Sequence, residues 1–250
     1  MTTRILLPQP SRAGIPSSAE VASDYIRTLV FTGVLRPAQK VPVDDIAEVL
    51  GMSRQPVREA IIELSYDGLV TIEGRRGTFV ADFGPSVIRD HYELYGLLQS
   101  FAIRRVARNV AQDVNGGVVA ALRAIEAEAA NESDTVELTQ MLIEFSRVIN
   151  RAAGNARLKR VIGSMARFTP GEYYLDEVPD AVERSRSTIR EQLAAIESGD
   201  PERAAEVVMR SWARTGENLI ARLVESGVFP SGDPEASGST SPAQGARHGN

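Results

Sequence analysis

The chain of 250 residues has no cysteine, two histidines and one tryptophan, and each scarcity closes off a class of function. Without cysteine there is no disulfide framework, thiol nucleophile or thiolate metal site. With histidine confined to His91 and His248, a site that needs three imidazoles cannot be built. Long apolar runs are missing as well. The N-terminus offers only Ile5-Leu6-Leu7 before its prolines, which is neither a signal peptide nor an anchor. No stretch approaches the roughly 20 apolar residues that cross a bilayer, so a cytoplasmic protein with no membrane partner is expected.

An excess of positive charge is also lacking. The net charge is -5, and residues 1–84 carry 9 Lys or Arg against 10 Asp or Glu, so bulk charge argues for no nucleic-acid partner. Any such function has to rest on local placement of a few cations. Catalytic signatures are absent too: there is no Gly-x-Ser-x-Gly elbow, phosphate-cradling glycine loop or metal-ligand spacing, so no enzyme and no cofactor are expected. What the chain does have is length for two domains and 43% apolar residues to give each a core.

The most informative stretch is Gly51-Met-Ser-Arg-Gln-Pro-Val-Arg-Glu-Ala-Ile-Ile-Glu-Leu64. Ser53 suits an N-cap, where its hydroxyl can accept from a free first-turn amide, and Pro56 falls in a turn where a missing amide costs little. Val57, Ala60, Ile61 and Leu64 recur at the helical period and form one apolar stripe. That leaves Arg54, Gln55 and Arg58 together on an adjoining face. Arginine and glutamine near the start of a helix suit base edges, because guanidinium bonds bidentately to guanine and a carboxamide to adenine.

The neighbouring residues place this helix in a motif. A helix follows Ser17 or Ser18 and ends at Thr32-Gly33; Asp44 is expected to cap a short helix over 45–50, and Gly51 breaks it. Two helices joined by a tight glycine turn make a helix-turn-helix. Leu69 to Glu73 then alternates like a strand, Gly74-Arg-Arg-Gly77 turns, and Thr78 to Ala81 returns: a hairpin with Arg75 and Arg76 at its tip. Beyond Pro85 the pattern is almost purely helical, and Gly199-Asp-Pro201 parts the last two helices. The fold class expected is mainly α: a flexible leader over 1–17, a winged helix-turn-helix over 18–83, an all-helical bundle over 84–226 and a disordered tail over 227–250.

Residues 18 to 82 resemble the winged helix-turn-helix of the GntR family of bacterial transcription regulators. The likeness is carried by Leu35-Arg-Pro-Ala-Gln, by Ile46-Ala-Glu-Val-Leu-Gly-Met-Ser-Arg-Gln-Pro-Val-Arg-Glu-Ala-Ile, by Leu64 with Asp67-Gly-Leu-Val, and by Arg76-Gly-Thr-Phe-Val. It implies a homodimer on a palindromic operator in double-stranded DNA, contacted by Ser53, Arg54, Gln55, Pro56 and Arg58, with Arg75, Arg76 and Gly77 at the wing tip. One departure is Val41-Pro-Val-Asp-Asp, which lacks an arginine that some members carry before the second helix.

The helical part resembles the ligand-sensing domain of the FadR subgroup, through Glu93-Leu-Tyr-Gly-Leu-Leu-Gln-Ser-Phe-Ala, Glu144-Phe with Ala152-Ala-Gly-Asn155, and Ile196-Glu-Ser-Gly-Asp-Pro-Glu-Arg-Ala-Ala. Many members hold a metal there through an Asp and three His. By resemblance those positions fall on Leu142, Ser146, Ile189 and Trp212, which are not ligands for a divalent ion. No metal is therefore expected. An apolar interior floored by Leu142, Ile189 and Trp212 suits a hydrophobic or aromatic acid as effector, with Tyr95 or Arg210 to anchor its carboxylate. The opposing reading is that these side chains fill the interior, leaving a constitutive or architectural DNA-binding protein. His91 is expected at a helix surface or interface rather than as a ligand.

Overall fold

A computed structural model describes residues 17–111, 117–168 and 171–230. The leader over 1–16 and the tail over 231–250 lie outside the described residues. The first described element is α1 (Ser18–Phe31), started by a capping box in which Ser17 and Glu20 each accept from the other's backbone amide. Ser17 thus belongs to the helix rather than to the leader. Helices α2 (Val43–Leu50) and α3 (Arg54–Tyr66) follow, separated by Gly51, whose φ of 63° is the left-handed geometry that ends α2. Strands β1 (Val70–Glu73) and β2 (Gly77–Val80) pair antiparallel, with Val70 opposite Val80 and Glu73 opposite Gly77.

Two sequence expectations about caps change here. Ser53 takes the cap position of α3 with extended backbone, yet its hydroxyl makes no cap bond. One of its two usual partners is missing: the third helical residue is Pro56, which has no N–H to donate. Asp44 does not cap α2 either. That helix begins at Val43, leaving Asp44 in its first turn, where a carboxylate favours the helix dipole.

The bundle comprises α4 (Pro85–Ala111), α5 (Val118–Ala129), α6 (Thr135–Ala152), α7 (Ala156–Met165), α8 (Gly171–Glu177), α9 (Ala181–Glu197) and α10 (Pro201–Glu225). Asp134, Asn155 and Asp200 each accept from two backbone amides at the starts of α6, α7 and α10. Helix α8 is the shortest of the bundle helices, with 7 residues, and carries Tyr173 and Tyr174. The closest pairing is α4 against α10. A side chain at Gly216 would lie 3.2 Å from the Tyr92 ring, and one at Gly96 would lie 3.4 Å from the Trp212 Cβ. One glycine on each helix thus seats the other's aromatic residue.

The two parts share one core at their junction. Phe31 of α1 packs against Phe83, Phe168 and Tyr173 with ring centroids 5.9 to 6.1 Å apart, and Phe83 meets Phe229 at 5.4 Å. Part of the stretch expected as a tail from 227 belongs to this core. Val228 and Phe229 are buried, and both donate backbone hydrogen bonds to the Leu223 carbonyl. Two apolar residues are too few to make a period, but enough to close a core.

Candidate DNA interface and bundle interior

Helix α3 turns its apolar stripe inward: Val57, Ala60, Ile61 and Leu64 are buried. Ser53, Arg54, Gln55 and Arg58 are consequently exposed, and Pro56 is half-buried beneath them. The helix is held from behind by Arg27, only 2% exposed, whose guanidinium donates to Asp67 at 2.7 Å and to Asp24 at 3.1 Å. Asp67 is the residue that ends α3, so this ion pair ties α1 to the far end of α3. Sequence reading missed Arg27, because a charged residue within an apolar run gives no sign of its burial.

The wing is fastened to the loop before α2. The Ala38 amide donates to Val80, Val80 to Gln39, and Val41 to Thr78. Its tip is a single 3-10 turn over Gly74–Arg76, ended by Gly77 at φ 112°. A side chain at Gly77 would be strained by that φ and would come within 3.1 Å of the Lys40 side chain. Arg75 and Arg76 are exposed at the tip, and the Arg76 guanidinium lies 5.7 Å over the Phe79 ring.

The polar groups of this face fall into two sets. Arg54 is paired with Asp44 at 2.7 Å, the Gln55 amide donates to Glu59 at 2.9 Å, and Arg76 is paired with Glu73 at 2.6 Å. Arg58 and Arg75 have no such partner among the described residues. Three acids, Asp44, Glu59 and Glu73, thus hold these groups in place. All but the half-buried Glu73 are solvent-exposed, where such pairs are weak.

Inside the bundle, Tyr95, Ile189, Leu142 and Trp212 belong to one apolar cluster. The Tyr95 ring meets Trp212 edge-on at 4.7 Å, and Trp212 stacks on Tyr92 at 5.7 Å. Ser146 is half-buried one turn along α6 from Leu142. Arg210 departs from expectation: it lies exposed on the outside of α10, paired with Glu191 at 3.1 Å, and so offers no anchor within the bundle. Two residues from Trp212 is more than half a turn around a helix. The interior is also more polar than expected. Buried Gln99 donates to the Tyr95 hydroxyl at 3.0 Å, and Gln192 and Asn150 are buried as well.

A divalent ion does not fit these residues. Leu142, Ile189 and Trp212 supply no donor, and no three His, Cys, Asp or Glu side chains come together among the described residues. His91 stacks on Phe168 at 3.9 Å and meets Tyr92 edge-on at 5.3 Å, at the junction of α4 with the end of α7. Burial lowers its pKa from 6.5 to about 4, partly opposed by a hydrogen bond to the Met165 backbone. Burial likewise raises the pKa of the Tyr95 phenol, with the Gln99 hydrogen bond acting the other way. No described helix is long and apolar enough to cross a membrane.

Two family models cover most of this architecture. Residues 18–80 match the bacterial regulatory proteins of the gntR family, and residues 90–214 match the FCD domain. A protein of Mycobacterium tuberculosis named "Uncharacterized HTH-type transcriptional regulator" is 28% identical over 224 residues, covering 88% of each chain. The "Probable D-xylose utilization operon transcriptional repressor" of Paenarthrobacter nicotinovorans is 29% identical over 196 residues, 74% of this chain and 81% of the relative. Among solved structures, E. coli McbR/YncC has the same fold with a TM-score of 0.60 at 20% identity, covering 83% of this chain and 99% of that one.

Proposed function

The chain belongs to the gntR family of bacterial regulatory proteins, as a DNA-binding transcription regulator with an FCD domain, and from that premise we propose that it represses transcription as a homodimer on a pseudo-palindromic operator. The observation that carries this reading is the exposed face of Ser53, Arg54, Gln55 and Arg58 beside the Arg75 and Arg76 wing tip, both braced by buried contacts behind them. The first residues of α3 enter the major groove, with Arg58 unpaired and ready for a base edge. Arg54 and Arg76 trade Asp44 and Glu73 for phosphates, which fixes register. Repression is supported by the Paenarthrobacter relative, which is named as a probable transcriptional repressor.

The bundle responds to a hydrophobic or aromatic acid held without metal among Tyr95, Leu142, Ser146, Ile189 and Trp212. Such a ligand would lodge against the Tyr95 and Trp212 rings, and the buried Gln99 amide offers a polar contact beside them. A second reading has an observation in its favour. Tyr95 and Ile189 are each 5% exposed and closely packed, which suits a filled interior and a constitutive DNA-binding protein.

Titrating labelled operator with the full-length protein, with and without a panel of acyl and aromatic acids, separates the readings. A coupling of about 1 to 3 kcal/mol in operator affinity with one class of acid supports the sensor. Tight operator binding that no acid alters supports the filled bundle, and failure to prefer operator over random DNA rejects the repressor.

A further inference from the structure

Between Glu144 and Glu172 the chain has no acidic residue and six Lys or Arg, a local excess in a molecule whose net charge is -5. Most of this run lies on the last two turns of α6, the turn at Gly154 and α7. Placement of this kind concentrates positive potential on one surface, whatever the sign of the whole molecule.

At the turn between α6 and α7 the surface dips into a cleft of about 220 Å³, lined by Asn150, Arg151, Gly154, Asn155, Ala156 and Lys159. Its size suits a small ligand rather than a drug-sized one. The residue that singles it out is Asn150, which is only 8% exposed and yet makes no side-chain hydrogen bond among the described residues. Its Oδ1 is sealed from solvent, which leaves the NH2 end as the one open to the cleft. A buried carboxamide without a partner is destabilising, and one that lines a cleft can be satisfied by what enters it.

The other groups at the cleft are donors as well. The Asn155 side chain caps α7 by accepting from the Arg157 and Leu158 amides, but the Asn155 and Ala156 amides have no acceptor among the described residues. They lie at the positive end of the α7 dipole, where an anion is favoured. The carbonyls that end α6 act the other way, and those of Ile149 and Arg151 are already bonded by the Ala153 and Gly154 amides. Arg151 and Lys159 bring two cations from opposite sides of the turn. Lys159 forms no ion pair among the described residues, and Arg151 reaches Glu144 only at 3.5 Å. No carboxylate is among the lining residues.

We infer that this cleft binds a phosphate group, free or carried on a small metabolite. Two cations and three uncharged N–H groups match the charge and the several acceptor oxygens of a phosphate better than the single charge and two oxygens of a carboxylate. The site is separate from the bundle interior: Asn150 lies one turn beyond Ser146 on α6, and no residue of the interior set lines the cleft. It therefore stands independently of the hydrophobic effector.

A phosphorus NMR titration of the full-length protein tests the site, with inorganic phosphate and glycerol 3-phosphate as probes and ionic strength held constant with chloride. Wild type should bind at least one of them saturably, and which one it prefers distinguishes free phosphate from an organic phosphate. Lys159→Glu, a change at an exposed position, should weaken that binding about tenfold or more by opposing like charges. Asn150→Asp puts a carboxylate oxygen where the NH2 stood at nearly the same size, and should weaken it at least as much. Both variants should keep the circular dichroism of wild type; if Asn150→Asp does not fold, Lys159→Glu decides alone. Absence of saturable binding to wild type, or unchanged affinity in Lys159→Glu or in folded Asn150→Asp, overturns the site. Displacement of the phosphate by an equal concentration of acetate overturns the choice of phosphate over carboxylate.

Discussion

The winged domain and the bundle use the same materials in opposite ways. The winged domain buries most of its apolar residues and one arginine, and its working groups, Arg54, Gln55, Arg58, Arg75 and Arg76, stand in solvent. The bundle turns its candidate working groups inward, where Tyr95, Gln99 and Trp212 contact one another, and leaves most of its arginines in surface ion pairs. A surface site is recognised by polar residues that have nothing else to do. An interior site looks like core.

Arginine gives the sharpest way to break that comparison. Arg27→Ala leaves Asp67 partly buried without its cation, and should destabilise the protein by about 3 to 5 kcal/mol in urea unfolding. Arg210→Ala removes an exposed pair with Glu191 and should cost under about 1 kcal/mol. Equal losses would erase the distinction between the two regions.

The second largest effect belongs to the junction between them. Folded His91 stays neutral to about pH 4, whereas in the unfolded chain it takes a proton near 6.5. Between those values the unfolded state binds more protons, so stability rises with pH and is lost as pH falls from 6.5 to 4. The slope should approach about 1.4 kcal/mol per pH unit in thermal or urea melts. His91→Phe should flatten the profile across that window, and an unchanged slope would locate the acid sensitivity elsewhere.

How far each region could be read from the sequence follows from the same contrast. The helix-turn-helix and wing were legible because their signals are local: Gly51 for the turn, a four-residue periodic stripe in α3, and Gly74 and Gly77 around two arginines. Their polar partners were not, since the links from Asp44 to Arg54 and from Arg27 to Asp67 depend on tertiary placement. Within the bundle, Ile189 and Trp212 were placed by resemblance alone, and spacing did not show which way Tyr95 points. The outward course of Arg210 and the burial of Gln99 were not legible, because spacing gives a sector of a helix and not what fills the facing space. Phe229 was missed for a simpler reason: it lies after the last helix, where no period marks it, and packs against Phe83 in the junction core.

Two smaller effects sharpen the account of the DNA face. Arg58→Ala should weaken operator binding by about 1 to 3 kcal/mol and relax the preference at one base pair, whereas Arg75→Ala should weaken binding to all sequences alike and lower the salt slope by about 1. Both are checked by fluorescence anisotropy across a salt series. Asp44→Asn removes a carboxylate beside Arg54 and should tighten DNA binding by less than about 1 kcal/mol, most clearly at low salt. A weaker complex would mean that Asp44 holds Arg54 in its bound position rather than competing with the phosphates.

The most direct test of the central claim, that the α3 face reads DNA sequence, is selection of bound sequences from a random duplex pool by the full-length wild type and by Arg58→Ala. The account predicts that wild type enriches an inverted repeat and that Arg58→Ala loses information at one symmetric pair of positions while keeping the rest. No enriched repeat with wild type, or an identical repeat with both proteins, would contradict it.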